Sequence, residues 1–304
     1  MKLRAFLSAC VALTALPLFT PLANAQDAQR RAEHVFIISF DQASPDGIER
    51  AEMPLFKEMA GQGAHTWEAY TIVPSLTLPS HTSMLTGVGI QKHQILWNDY
   101  QPAKGVVKVP TIFSLAKEKG MKTAMFVAKE KFHHLELPGS VDKFVCPQDV
   151  TAAGVSQAFA ENVGVLKPDL CFIHFGDPDV KGHEFGIHSP EKMKAFADTD
   201  VALKTVRDAI KAAGLEDSSV IILTADHGCH DIKDKNGITR GTHGDATPDD
   251  VTIPWIAWGK GVKPKFTITA PVVQYDTAAT ALWLLGVPVP EGFWGRPVTS
   301  AFQP

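Results

Sequence analysis

Short, continuous apolar runs alternate along the chain with segments in which apolar residues recur at helical spacing. Three of the runs read HVFIISF, LCFIHFG and SVIILTA, and a fourth, IPWIAW, lies later in the chain. Runs of this length and character predict buried strands, most of them parallel. Helical spacing predicts helices over residues 53–62, 80–86, 111–119, 151–167, 191–213 and 276–285. The alternation of the two patterns predicts an α/β domain whose parallel-rich sheet is covered on both faces.

Acidic and histidine residues follow three of these predicted strands. Asp41 comes directly after the first strand, Asp179 and His183 follow the second around a predicted turn, and Asp226 with His227 ends the third. Because ligand sites in open α/β sheets gather at the carboxyl ends of strands, we expect these side chains to meet at one edge. Each residue alone also fits a helix cap or a turn, so the prediction depends on their joint placement.

Two further segments complete this set of candidate ligands. His243 lies in GTHG, and Thr77 lies in VPSLTLPSHTSMLTG, where Ser75 and Ser80 are alternative hydroxyls. Carboxylates, imidazoles and a hydroxyl are the donor types that hold a pair of zinc-like ions. Two such ions beside a nucleophilic hydroxyl support the cleavage of phosphate esters. The helix predicted to begin near Pro79 would also present free backbone N–H groups to an anion.

The ordered motifs resemble the alkaline phosphatase superfamily, and most of all its type I phosphodiesterase/nucleotide pyrophosphatase branch. The resemblance runs from about residue 34 to residue 297, through PSLTLPSHTSMLTG, PDVKGHEFG, ADHG and GTHG. It implies an alkaline phosphatase-like, three-layer αβα sandwich with a mostly parallel central sheet and two divalent metal ions, with zinc as the first choice. The resemblance assigns one ion to Asp41, Thr77, Asp226 and His227, and the other to Asp179, His183 and His243.

The resemblance also assigns roles at the nucleophile segment. It favours Thr77 as the nucleophile, which would form a phosphothreonine intermediate. Asn98 matches a family asparagine that donates to a non-bridging phosphate oxygen, although an Asx-turn residue is the alternative. Sulfatases of the superfamily need a Cys or Ser that becomes formylglycine and an Arg four residues later. Here Thr77 and His81 occupy those positions, so a sulfatase is disfavoured.

Two departures from the family bear on substrate choice. Nucleotide-cleaving relatives have aromatic residues where this chain has Leu78 and His174. Since stacking on aromatic rings is a main source of nucleobase binding, Leu78 predicts a substrate slot with a weaker nucleotide preference. Trp97 could restore an aromatic wall, but its position after Ile95 and Leu96 also fits a core residue, which we favour.

The segment AKEKFHHLELPGSVDKF has two interpretations. Its charged residues Lys129, Lys131, His133 and His134 either form a solvated turn, which we favour, or face the substrate. Cys229 lies close to the ADHG motif and could be a metal ligand, but the expected ligand sets are complete without it.

Composition and the first residues limit the remaining possibilities. Residues 1–25 have a basic start, an apolar core and an Ala-Asn-Ala site, which predict a secretory signal peptide; a lipoprotein box ending at Cys10 is the less favoured alternative. Residues 26–304 are then one exported domain, secreted or periplasmic. Its three cysteines are an odd number, so we expect at least one free thiol. The formal net charge of −4 argues against binding to a nucleic acid polymer, and no other run is long enough to span a membrane.

Together these features predict an exported two-metal phosphoester hydrolase that acts on a small phosphate ester. A phosphodiesterase is the first expectation, and a phosphomonoesterase or phosphonate hydrolase with the same metals is the alternative. A binding protein that keeps the fold without turnover is the alternative from another class. The sequence carries no feature that indicates an oligomeric state.

Overall fold

A computed structural model describes residues 29–304, so the predicted signal peptide lies outside the described residues. The strands are β1 His34–Phe40, β2 Ala64–Tyr70, β3 Thr123–Val127, β4 Lys143–Val145, β5 Leu170–Phe175, β6 Ser219–Thr224, β7 His230–Lys233, β8 Thr239–Thr242, β9 Thr252–Gly259 and β10 Phe266–Thr267. The α-helices are α1 Pro45–Arg50, α2 Pro54–Gln62, α3 Thr77–Thr86, α4 Ile90–His93, α5 Ile112–Lys117, α6 Ala152–Leu166, α7 Asp177–Phe185, α8 Pro190–Ala212, α9 Pro248–Val251 and α10 Asp276–Leu285. Short 3₁₀ helices lie at Pro102–Lys104, Glu130–Leu135, Glu216–Ser218 and Thr299–Ala301.

An eight-stranded sheet forms the middle layer, in the order β10-β2-β9-β6-β1-β5-β3-β4. The central strand β1 pairs in parallel with both of its neighbours, β5 and β6. Strand β9 runs antiparallel to β2 and β6, and β7 with β8 forms a separate hairpin. The prediction of a mostly parallel central sheet is therefore confirmed.

Helices cover the sheet in two groups. Helix α8 contacts α1, α2, α6 and α7, whereas α10 contacts α3 and α5. Every residue of β5 and β6 is buried, as expected for strands covered on both faces. The predicted three-layer αβα sandwich is confirmed by this arrangement.

The three central strands end at the same edge of the sheet. Their register pairs Phe40 of β1 with Phe175 of β5, and Ser39 of β1 with Thr224 of β6. The chain then leaves β1 at Asp41, enters α7 after β5, and passes through residues 225–229 after β6. The segments predicted to carry metal ligands therefore start from adjacent strand ends.

Helix α3 begins earlier than the sequence predicts. Its first residue is Thr77 rather than Ser80. Pro79 does not delay the helix, because a proline in the first turn lacks only an N–H group that has no intrahelical partner there. The candidate nucleophile therefore belongs to the first turn of a ten-residue helix.

The segment predicted to be a turn after β5 is helix α7. Pro178 lies in its first turn, where proline is tolerated, and Gly182 lies within it. Proline and glycine so close together are typical of a turn in the sequence, which is why the prediction was wrong. Since the segment is helical, Asp179 and His183 are four residues apart on one helical face.

The described residues also bear on two expectations from composition. Among residues 29–304, no helix has both the length and the apolar character needed to cross a membrane. The three cysteines of these residues, Cys146, Cys171 and Cys229, are all free thiols. The expectation of at least one free thiol is therefore confirmed.

Asp200 on α8 caps the N-terminus of α2. Met53, which precedes α2, provides no side-chain cap. The carboxylate oxygens of Asp200 instead accept hydrogen bonds from the N–H groups of Leu55 and Phe56, at 3.0 and 2.8 Å. This contact joins two helices on the same face of the sheet.

We expect Asp200→Ala to lower the free energy of unfolding by about 1–3 kcal/mol, because it leaves the first N–H groups of α2 without acceptors. Urea denaturation measures the change. Asp208→Ala is the matched control, since Asp208 lies on the same helix and forms an exposed salt bridge with Lys204; it should cost at most about 1 kcal/mol. Equal effects of the two substitutions would contradict the capping role.

Candidate active site

Seven of the predicted site residues lie in two adjacent groups at the carboxyl edge of the sheet. We call the first group the inner cluster, which consists of Asp41, Thr77, Asp226 and His227. We call the second the outer cluster, which consists of Asp179, His183 and His243. The inner cluster is almost completely buried, whereas the side chain of His183 is 45% exposed.

The inner cluster contains buried oxygen atoms without a hydrogen-bond partner. Within residues 29–304, these include Asp41 Oδ1 and Asp226 Oδ2. They lie 3.5 and 3.2 Å from His227 Nε2, and Thr77 Oγ1 lies 3.4 Å from the same nitrogen. Unpartnered buried carboxylate oxygens are costly, and a divalent cation among these four atoms would satisfy them. The donor set of the inner cluster therefore fits a metal ion.

The remaining oxygens of the two inner carboxylates have partners. Asp41 Oδ2 accepts from Lys129 and from His174 at 2.5 and 3.0 Å. Asp226 Oδ1 accepts from the backbone N–H groups of Gln42 and His227 at 3.1 and 3.0 Å. Each carboxylate is thus oriented by one oxygen and leaves the other oxygen available to a cation.

The pKa values of the inner carboxylates diverge. Burial alone would raise the pKa of Asp41, but Lys129 and His174 lower it well below its usual value. Burial and the nearby charge of Asp41 raise the pKa of Asp226 well above its usual value. Two such close, buried carboxylates do not both ionise readily unless a cation is added. This electrostatic arrangement favours a divalent ion at the inner cluster.

The outer cluster converges on Asp179 Oδ1. His183 Nε2 lies 3.1 Å and His243 Nε2 3.6 Å from this oxygen, and the two imidazole nitrogens are 3.1 Å apart. The ring of His243 also stacks on that of His227, with centroids 3.7 Å apart. Asp179, His227 and His243 themselves form a group with metal-ligand geometry, so His227 lies between the two clusters.

Each histidine of the two clusters is oriented by a backbone carbonyl. His183 Nδ1 donates to Gly241 O at 2.9 Å, His227 Nδ1 to Gly228 O at 2.9 Å, and His243 Nδ1 to Ser75 O at 2.7 Å. This tautomer leaves Nε2 unprotonated and directed into the site, as metal-bound imidazoles require. Burial and His243 also lower the pKa of His227 to about 3, so that its ring is neutral.

The segment that contains Lys129 was predicted to be a solvated turn, and the position of Lys129 shows that this prediction was wrong. Its Nζ contacts Asp41 Oδ2 at 2.5 Å and Asp179 Oδ2 at 2.7 Å, so one ammonium group joins the two clusters. Although burial lowers the pKa of Lys129, these two carboxylates raise it. The signal in the sequence was the position of Lys129, which follows the apolar run of β3 and therefore lies at the same sheet edge.

The other residues of the segment are also ordered. Lys131 Nζ lies 3.3 Å from Asn98 Oδ1, and burial and the charge of Lys129 lower the pKa of Lys131. His134 is buried and accepts from the N–H of Gln101, while His133 stacks on Phe144. Lys131 thus belongs to the site, and the two histidines support the surrounding loop.

Asn98 lies at the N-terminus of α3. Its Oδ1 accepts from the backbone N–H of Leu78 at 2.8 Å, which leaves the amide nitrogen available to donate. The Leu78 side chain, in contrast, is fully buried in the hydrophobic core. The expectation that Leu78 forms the wall of a substrate slot is therefore wrong, because only its backbone faces this region.

His174 and Trp97 differ from what a slot for a nucleobase would require. His174 is fully buried, and its Nε2 contacts Asp41. It therefore supports a carboxylate and offers no surface for stacking. Trp97 is half-buried against the core, where its ring contacts His134 and lies 4.3 Å below Lys104 Nζ.

Cys229 contacts Lys192 rather than either cluster.

Comparisons with known proteins bear on the family and the fold of the chain. The family model described as type I phosphodiesterase / nucleotide pyrophosphatase matches residues 35–245. Ectonucleotide pyrophosphatase/phosphodiesterase family member 7 of Mus musculus is 24% identical over 265 residues, covering 74% of this chain and 56% of the relative. Family member 5 of Homo sapiens is 25% identical over 240 residues, covering 73% and 50%. The chain thus spans about half the length of these curated relatives.

Solved structures show the same fold. An inactive variant of murine ectonucleotide pyrophosphatase/phosphodiesterase 5 in complex with AMP aligns with a TM-score of 0.74 at 17% identity, covering 89% of this chain and 100% of that one. A 2-O GAG sulfatase aligns with a TM-score of 0.70 at 16% identity, covering 89% and 74%. At these identities the likeness supports the alkaline phosphatase-like fold and says nothing about substrate.

We expect His243→Ala to lower the bound metal by about one equivalent per chain, because it removes one of the three donors of the outer cluster. Elemental analysis of zinc-loaded, dialysed protein gives the stoichiometry. His188→Ala is the control, since the exposed His188 contacts Asp46 away from both clusters. Two full equivalents in His243→Ala would show that His243 is not a ligand.

Proposed function

Because the chain belongs to the type I phosphodiesterase/nucleotide pyrophosphatase family of the alkaline phosphatase superfamily, we propose that it is a two-metal phosphoester hydrolase, and first of all a phosphodiesterase. One observation carries the proposal. Asp41 Oδ1, Asp226 Oδ2 and His227 Nε2 converge beside the hydroxyl of Thr77. A carboxylate-rich cation site beside a hydroxyl is suited to phosphoryl transfer.

Two zinc ions are the proposed cofactors. The inner cluster, Asp41, Thr77, Asp226 and His227, would hold one, and the outer cluster, Asp179, His183 and His243, the other. Mixed imidazole and carboxylate donors favour zinc over magnesium or calcium. Ions bound there would favour the deprotonated hydroxyl of Thr77 and stabilise negative charge on the phosphoryl oxygens.

Thr77 is the proposed nucleophile. Its Oγ1 loses a proton to water and forms a bond to phosphorus while the bond from phosphorus to the leaving-group oxygen breaks. Water then cleaves the resulting phosphothreonine and restores the hydroxyl. The N-terminus of the ten-residue helix α3 supports this role, because its dipole and free N–H groups favour an anion beside Thr77.

Asn98 is proposed to bind a non-bridging phosphate oxygen. Its Oδ1 is already used by the N–H of Leu78 and lies near Lys131. The Leu78 N–H and the Lys131 ammonium are both hydrogen-bond donors, so they must face the amide oxygen of Asn98. The amide nitrogen of Asn98 is therefore left to donate to the substrate. Such a fixed donor stabilises charge that develops on the phosphoryl group.

The lysines of the site favour a second candidate function. Lys129 and Lys131 add two cations beside the clusters and Asn98. A phosphomonoester or phosphonate carries one more negative charge than a phosphodiester and would gain more from Lys131. Phosphomonoesterase or phosphonate hydrolase activity is therefore the second candidate. Because the Leu78 and His174 side chains are buried, they no longer argue against a nucleotide diester, which belongs among the substrates to be tested.

We also propose that the protein is exported to the periplasm or secreted. The basis is the signal peptide predicted for residues 1–25. Its substrate would then be a small phosphate ester outside the cytoplasm.

Thr77→Ala should lower kcat for aryl phosphate esters by several orders of magnitude, because no other group replaces the covalent step. Thr77→Ser should recover a substantial part of the rate, and Thr205→Ala, at an exposed hydroxyl on α8, should leave it unchanged. Near-wild-type kcat in Thr77→Ala would contradict the assignment. If the zinc-loaded wild type binds these phosphate compounds but hydrolyses no diester, monoester or phosphonate, the protein is instead a binding protein.

Lys131→Met should separate the two candidate activities. Loss of a charged donor worth about 1.5–3 kcal/mol predicts a fall of roughly tenfold or more in kcat/KM for an aryl phosphate monoester, and a smaller fall for the bis-aryl diester. Lys143→Met, at an exposed lysine of β4, is the control. Suppose that the wild type prefers the diester and that Lys131→Met lowers kcat/KM equally for both esters. Lys131 then does not recognise the second charge of a monoester.

A further inference from the structure

We propose that Gln42 and Lys192 are positioning residues that hold Asp179 in the geometry needed to bind the outer metal ion. This inference rests on the proposed function, because it concerns the affinity of the outer cluster for its ion. Neither residue belongs to the predicted ligand sets. Both are almost completely buried: Gln42 is 0% and Lys192 is 1% exposed.

Gln42 joins the carboxylates of the two clusters. It directly follows Asp41, and its backbone N–H donates to Asp226 Oδ1 at 3.1 Å. Its side-chain Nε2 donates to Asp179 Oδ1, also at 3.1 Å. The second bond is made to the same oxygen on which His183 Nε2 and His243 Nε2 converge.

The backbone of Gln42 is in an unfavourable conformation. Its φ of 61° lies in the left-handed region, which glycine adopts without strain and which costs a residue such as glutamine roughly 1–2 kcal/mol. A glycine would keep the backbone N–H bond to Asp226 without that cost. What glutamine adds is the amide that reaches Asp179, so the strain points to a function of the side chain.

Lys192 determines which way the amide of Gln42 points. Its Nζ donates to Gln42 Oε1 at 2.6 Å and lies 3.4 Å from Gln42 O and 3.0 Å from Cys229 Sγ. Because an ammonium group only donates, it binds the amide oxygen and turns Nε2 toward Asp179. The buried ammonium group is thus held by the two oxygens of Gln42 and the sulfur of Cys229.

Gly182 provides the space for this contact. It lies on α7 between Asp179 and His183, and a Cβ at this position would come within 2.0 Å of Gln42 Oε1 and 3.0 Å of Lys192 Nζ. Glycine inside a helix costs about 0.5–1 kcal/mol relative to alanine. In α7, which carries Asp179 and His183, glycine thus occupies the position against which the Gln42 amide packs.

The consequence concerns metal affinity. A residue that orients a metal ligand typically contributes 10–100-fold to affinity. Since Gln42 Nε2 contacts Asp179 and not His227, loss of the amide should weaken the outer site selectively. The inner site keeps its own contact, because that one comes from the Gln42 backbone.

The test is a cobalt titration of chelator-stripped full-length variants, followed by visible absorption and by competition with zinc. We expect wild type to bind two ions, and both Gln42→Gly and Lys192→Met to bind one of them about 10–100-fold more weakly. The other ion should change by no more than about twofold. Lys204→Met, at an exposed lysine of the same helix α8, is the control, and thermal unfolding without metal reports the fold of each variant.

A double-mutant cycle separates positioning from general packing. Gly182→Ala should weaken the outer ion in wild type, because it displaces the Gln42 amide. Added to Gln42→Gly, it should cost no more than about twofold, since the Gln42 amide is gone and only the flexible end of Lys192, 3.0 Å away, has to shift. Additive losses, or variants that bind both ions as tightly as wild type, would overturn the inference. Wild type that binds no cobalt or zinc would overturn the metal sites of the proposed function instead.

Discussion

Three carboxylates buried at one edge of the sheet are the constraint on which the rest of the site depends. Asp41, Asp179 and Asp226 are at most 5% exposed and come from the ends of three adjacent strands. Burying ionised carboxylates together is costly unless cations compensate them. Burial and the charge of Asp41 raise the pKa of Asp226, so this carboxylate is the least compensated of the three. The site therefore requires positive charge, and each nearby feature either supplies it or orients the groups that receive it.

The protein supplies part of that charge from residues far apart in the chain. Lys129, from the loop after β3, contacts Asp41 and Asp179. Lys192, from α8, contacts Gln42 and Cys229, and Gln42 in turn contacts Asp179. Burial lowers the pKa values of His227 and His243, so these two rings add no charge, and their Nδ1 atoms donate to backbone carbonyls while their Nε2 atoms keep a lone pair. Asp179 instead raises the pKa of His183. What remains after these contacts is a set of oriented but unsatisfied donors, which is the environment a divalent ion stabilises.

The fold and the approximate composition of the site could be predicted from the sequence, since both depend on local patterns. Buried strands are continuous apolar runs, and polar residues that end adjacent parallel strands necessarily meet. Side-chain direction could not be predicted. His174 lies on the same face of β5 as Phe172 and packs on His81, so strand alternation turns it inward. Lys129 was assigned to a solvated turn, in preference to the substrate-facing alternative, because a charged, histidine-rich segment ordinarily indicates solvent. Only the strand order brings β3 beside β5.

The two clusters differ in their exposure to solvent, and this difference bears on how a phosphate ester would reach Thr77. The inner ligands Asp41, Asp226 and His227 have no exposed surface, and Thr77 has 1%. His81 and the central strands close the inner cluster from below. The side chain of His183 is 45% exposed, so the outer cluster is the open one. Under the proposed function, a phosphoryl group would therefore meet the outer cluster before it meets the hydroxyl of Thr77. In the proposed two-metal reaction, an ion at the outer cluster would then act mainly in binding the ester, whereas an ion at the inner cluster would act mainly on the reactivity of the Thr77 hydroxyl.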